Sequence, residues 1–176
     1  MKLSKAHFYK DTEENFQSTY SFFADESIQI SELTDHVIKI SKSKGFEEKQ
    51  THIITKDSDW AFLSSENENL DLFGSKKIIE IKLLGIGPGN KGSKAIKDYC
   101  LSPDQSKLLI VHAERLDKKQ QTSAWAKALE SSGVLIVEPP INKNSMPGWI
   151  KGKSQDLNIN ITEEAIHLLA EKTEGN

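Results

Sequence analysis

Five short apolar runs, separated by longer amphipathic stretches, set the rhythm of this chain: YSFFA (20–24), THIIT (51–55), KIIEIKLL (77–84), KLLIVHA (107–113) and VLIVE (134–138). They are rich in Ile, Val and Phe and mostly continuous rather than alternating, as strands covered on both faces are. Between the first two runs, residues 26–43 place Ile30, Leu33, Val37 and Ile40 on one helical face, and Gly45 follows as a stop. Residues 118–131 place Ala124, Trp125, Ala128 and Leu129 on one face of a second helix. Asp117 can cap its first turn, Gln120 sits three residues later, and Gly133 lies just past the end. Strands alternating with helices predict a parallel α/β sheet with right-handed connections.

The pattern changes at EPPINKNSMPGW (138–149), where Pro139 and Pro140 cannot continue a central strand. Beyond them only helical signals remain, in SMPGWIKGKSQ and then ITEEAIHLLAEKT, where Thr162 is an N-cap with Glu163 and Glu164 in the first turn. The expected division is an α/β domain over 1–140 and the start of a helical unit over 141–176. The closing EGN reads as a helical unit cut partway through.

Composition narrows the classes. The chain has 176 residues, 36% apolar and 28% charged, with a formal net charge of −3. Nothing approaches the roughly 20 apolar residues of a membrane span, and the N-terminus has no signal-peptide core, so no membrane partner is expected. A single cysteine, Cys100, makes no internal disulfide and fits a cytoplasmic protein. The negative balance argues against a dedicated nucleic-acid grip, and lysines near 91–97 and 115–119 read as solvated surface.

The most suggestive motif is Gly87, Gly89 and Gly92, a G-x-G-x-x-G between a strand and a helix, with Glu114 about 20 residues on. A dinucleotide loop would aim backbone N–H groups at a pyrophosphate. Against that reading, the loop follows the third strand rather than the first, and Pro88 stiffens it. No phosphate loop of the G-x-x-x-x-G-K-[ST] kind occurs, and the turn after the first strand, FFADESIQIS, has no glycine. The five histidines (7, 36, 52, 112 and 167) have no i,i+4 pair, so no metal site is expected. Cys100 with His112 could form a thiolate pair, but a small apolar cysteine is the plainer reading. Asp25/Glu26 and Glu163/Glu164 read as helix-start acids. In SSENENLDLFGSKK (64–77), Leu70, Leu72 and Phe73 follow an acidic run; pattern alone packs them under the sheet, while exposure would mark a contact site.

In combination these stretches resemble the delta subunit of bacterial DNA polymerase III. The carrying segments are LDLFGSKKIIEIKL (70–83), ERLDKKQQTSAWAKALESSGVLIVE (114–138), the stretch 139–176, and GFEEKQTHIITKDSDW (45–60). The resemblance runs from about Tyr20 onward. It implies a three-layer sheet of the AAA+ ATPase type without a phosphate loop, followed by part of a helical lid, with a third, collar domain absent. It implies a non-catalytic clamp-loader subunit, counted within a DNA-directed DNA polymerase (nucleotidyltransferase) complex and needing no cofactor. Its implied partners are the beta sliding clamp and the delta-prime and gamma/tau loader subunits, with DNA met only through the assembled complex. It assigns clamp binding to Leu70, Leu72 and Phe73, on a helix that presents them outward. It makes the glycine motif a variable connection. ADES (24–27) departs from the glycine-containing turn usual in relatives, which weakens nucleotide binding further. The alternative is a nucleotide-binding α/β enzyme using residues 87–92.

Overall fold

All five apolar runs are strands of one parallel sheet in the order β2-β3-β4-β1-β5. The computed structural model describes residues 1–68, 75–85, 87–114 and 116–173. The strands are β1 (Thr19–Ala24), β2 (Phe46–Ile54), β3 (Lys76–Leu83), β4 (Lys107–Glu114) and β5 (Val134–Val137). The helices that accompany them are α1 (Lys5–Glu14), α2 (Ser27–Ser43), α3 (Ala61–Glu68), α4 (Gly89–Leu101), α5 (Lys118–Gln121) and α6 (Ala124–Ser132). Two compact units divide the chain, Met1–Glu138 and Pro139–Asn176. The second holds α7 (Met146–Asp156) and α8 (Glu163–Thr173).

The central strands are apolar on both faces because helices cover both. Successive side chains alternate across a strand, so each run supplies two cores. Tyr20, Phe22, Ile78, Leu108 and Ile110 pack with Ile30, Leu33 and Val37 of α2 and Phe8 of α1. Phe23, Ile79, Ile81, Leu109 and Val111 pack on the other side with Leu63 of α3, Ile96 and Tyr99 of α4, and Trp125 and Leu129 of α6. Every residue of β1 is buried, and so are the first seven of β4. α2 closes as its sequence predicts: Ile30, Leu33, Val37 and Ile40 are buried, and Gly45 takes φ +88, a left-handed turn favourable to glycine.

Two expectations needed correction. The helix read over 118–131 is two helices. The Lys118 carbonyl accepts both the N–H and the hydroxyl of Thr122, and the Gln120 carbonyl both those of Ser123, so the side chains reinforce a closed turn before α6 begins. Asp117 caps α5 in a full capping box with Gln120. On α6, Trp125 and Leu129 are buried as expected, but Ala124 is exposed and Ala126 is buried instead. The second run is also longer than its apolar core suggests. β2 begins at Phe46 and is the edge strand, so Glu47 to Thr51 are all exposed.

In the second unit Thr162 Oγ1 accepts the Ala165 N–H at 3.2 Å, the predicted cap of α8. Lys151 Nζ and Glu163 Oε1, 2.5 Å apart, tie α7 to α8. Leu157, Ile159, Leu168 and Leu169 are exposed.

Candidate functional site

The glycine motif is explained by packing and backbone geometry. Gly89, which opens α4, has φ +65, where L side chains are strained. A Cβ on Gly92 would stand 2.3 Å from the Trp60 ring, so this glycine lets Trp60 lie against α4. A Cβ on Gly87 would meet Gln120 Nε2 at 2.7 Å. The loop borders a hollow of about 300 Å³ with Thr55, Lys56 and Trp60. Glu114, the acid a dinucleotide site would need, ends β4 and lines a different hollow with Ser27 and Thr34 of α2. The structure parts the motif from its acid.

The crevice at the C-terminal ends of β1 and β4, where chain direction diverges to opposite faces, is the usual ligand position in such sheets. Here Ala24 pairs with Glu114, and Asp25 and Glu26 precede the first turn of α2. Carboxylates suit a helix N-terminus, but they repel a phosphate from the same N–H groups.

One polar cluster was not foreseen. Glu80 is 2% exposed, an acid amid the isoleucines of β3. Its carboxylate accepts from Thr51 Oγ1 at 2.6 Å and lies 3.0 Å from Lys49 Nζ and 3.6 Å from Lys82 Nζ. His112 Nε2 is 3.4 Å from Glu80 and 3.0 Å from Thr34 Oγ1. Thr34 gives its own proton to the Ile30 carbonyl, so the hydroxyl accepts and His112 carries its proton on Nε2. Burial pushes the Glu80 carboxyl up, but the bonds from Thr51 and Lys49 outweigh it and hold the group below the ordinary range. Burial lowers His112 to about 4 against the opposing pull of Glu80. This cluster joins β2, β3, β4 and α2.

Cys100 packs on the face of the sheet opposite that on which His112 meets α2, so the two are not a catalytic pair. Burial raises its thiol to about 11. The described residues hold no group of three or more metal-ligating side chains, and among them no helix is long and apolar enough to cross a membrane.

Leu70, Leu72 and Phe73 lie outside the described residues. α3 before them is anchored by Leu63, fully buried, and by Phe62, which stacks on His52 with ring centroids 3.7 Å apart. In its last turns, Glu66 accepts from Lys77 Nζ at 2.6 Å, and its backbone carbonyl accepts from Lys107 Nζ. Lys77 N–H bonds the Ser106 carbonyl at 3.0 Å. Lys107 is 4% exposed, so this bracket joins α3 to the starts of β3 and β4 with little water around it. The sequence analysis does not single out Glu66, Lys77 or Lys107, because their pairing spans 11 and 41 positions and leaves no local spacing signal.

The comparisons with known proteins bear on family and fold. The model of the family described as DNA polymerase III, delta subunit, matches residues 20–138. The chain is 26% identical over 167 residues to DNA polymerase III subunit delta of Escherichia coli K12, covering 93% of this chain and 48% of that protein. It thus spans about half the length of the curated relatives it matches. Its fold is similar to the DNA clamp loader delta protein of Bacillus subtilis, with TM-score 0.63, 14% identity, and coverage of 95% of this chain and 56% of the other. The AMPPCP-bound DnaA of Aquifex aeolicus is also similar, with TM-score 0.54, 14% identity, and coverage of 96% and 55%. The family model covers residues 20–138, from β1 through β5 and more than half of the chain, and on that match the chain belongs to the DNA polymerase III delta subunit family.

Proposed function

We propose that this chain is the clamp-contacting portion of a clamp-loader delta subunit. It binds the beta sliding clamp through Leu70, Leu72 and Phe73 and favours an open or strained ring for loading onto primed DNA. It acts beside delta-prime and gamma/tau subunits in the cytoplasm and performs no chemistry of its own. The observation that carries this reading is the family match across residues 20–138, which contains the apolar segment and both its anchored flanks. A wrench of this kind works by binding the open clamp more tightly than the closed one, since equal affinity would shift nothing. The acidic turn at Asp25 and Glu26 and the separation of Glu114 from the glycine loop favour this role over a nucleotide-dependent enzyme.

Calorimetric titration of the chain with a bacterial sliding clamp tests it. Burying a Leu or Phe side chain is worth roughly 1.5–3 kcal/mol, and truncating an interface anchor commonly costs 2 kcal/mol or more. Leu72→Ala/Phe73→Ala is therefore expected to weaken binding by about 4 kcal/mol, close to a thousandfold. A large fall in melting temperature with clamp affinity intact would make these residues core and end the assignment.

A further inference from the structure

We infer that Lys44 and Lys76 form a second clamp contact, a basic pocket that receives carboxylates from the clamp surface; this rests on the clamp-binding reading above. The pocket, about 390 Å³, opens at the N-terminal rim of the sheet between Phe16, Phe46, Ser18 and Ser106. Lys44 Nζ stands 5.3 Å from the centre of the Phe16 ring, and Lys76 Nζ stands 5.4 Å from that of Phe46. Lys76 Nζ also donates to the Lys44 carbonyl at 2.8 Å, which fixes the Lys76 ammonium beside the Lys44 backbone, and both lysines line the pocket. Most other lysines of this rim are spoken for: Lys77 by Glu66, and Lys107 by Asp104 and the Glu66 carbonyl. Among the described residues, no carboxylate pairs with Lys44 or Lys76. Two like charges held over aromatic faces are pre-organised, and an anion between them would relieve their repulsion.

Position identifies the partner. Lys76 is the first residue of β3 and stands three places after Phe73, so a partner held at Phe73 is within roughly 10 Å of chain reach of this rim. Charge argues for a protein carboxylate rather than a nucleic-acid backbone. Glu47 and Glu48, exposed directly after Phe46, and Asp104, two residues before Ser106, interrupt any basic track along this rim. A phosphate backbone needs a continuous basic track, whereas single carboxylates need only two cations.

The test is surface-binding kinetics of the chain on immobilised clamp at low and high salt, with Lys44→Gln/Lys76→Gln. Both lysines are exposed, so the melting temperature should not move. The double variant is expected to associate about tenfold more slowly at low salt, with a flatter salt dependence and a little-changed dissociation rate. Leu72→Ala/Phe73→Ala should instead speed dissociation. Lys44→Glu/Lys76→Glu should slow association further. Unchanged rates and salt dependence in the Gln variant, with the wild-type chain binding normally, would overturn the inference while leaving the clamp reading intact. So would loss of binding to primed duplex DNA without loss of clamp binding. Failure of the wild-type chain to bind the clamp would overturn the clamp reading itself.

Discussion

Lys77 Nζ lies 2.6 Å from a carboxylate oxygen of Glu66, joining the helix before residues 69–74 to the strand after them. The side chains are only 23% and 15% exposed, so the pair is less screened than a surface bridge. It ties the end of α3 to the start of β3, the described elements on either side of that segment.

Glu66→Gln is expected to lower stability by about 1 kcal/mol, the net worth of one partly buried charged hydrogen bond. Clamp affinity should fall several-fold more than that loss explains, because the anchors must be held in place to dock together. The swap Glu66→Lys/Lys77→Glu should recover much of the affinity. Paired denaturation and clamp titrations check this; equal affinity in Glu66→Gln would confine the bracket to stability.

The three motif glycines should rank by what their Cβ would meet. Gly92→Ala drives a methyl into the buried Trp60 ring and should cost about 3 kcal/mol, the upper range for overpacking. Gly89→Ala has open space but a left-handed backbone, and should cost roughly 1–2 kcal/mol. Gly87→Ala displaces only the flexible end of Gln120 and should cost least. Urea denaturation measures the order. A nucleotide-binding loop would show instead as micromolar binding of NAD or ATP that Gly89→Val abolishes.

Acid should destabilise the fold in two steps. His112 is held to about 4 in the folded state, below its ordinary 6.5, so the unfolded chain binds more protons between those values. Its contribution is complete above pH 6.5 and is lost as pH falls toward 4, a change on the order of 3 kcal/mol. Glu80, also held below its ordinary value, contributes stability that disappears at lower pH, as the medium falls through its folded pKa. His112→Gln should make the fall in stability between pH 6.5 and 4 shallower, leaving the contributions of His36 and His52, which burial also lowers, and the acid limb of Glu80. A wild-type curve level from pH 7 to 4 would show that His112 is not buried neutral.

Local chemistry in the sequence determined much of the architecture. The five strands, the apolar face of α2, the left-handed stop at Gly45, the capping box of Asp117 and Gln120 and the Thr162 cap all depend on residues within a few positions of one another. Such interactions are written in spacing. The resemblance to the family also lay in short contiguous stretches, and the residues to which it assigns clamp contact lie outside the described residues.

Long-range packing decided the rest. Gly133 ends α6 in extended backbone, φ −174, and must be glycine because the Thr19 carbonyl would stand 2.0 Å from a Cβ there. Gly92 is glycine because Trp60, 32 positions earlier, crosses α4 at that point. The polar edge of β2, the burial of Glu80 beside His112, and the pinning of Glu66 by Lys77 and Lys107 all follow from sheet order. Periodicity reports which face of an element is apolar, but not which neighbour covers it. Burial and charge pairing depend on that neighbour, and so only the tertiary structure could decide them.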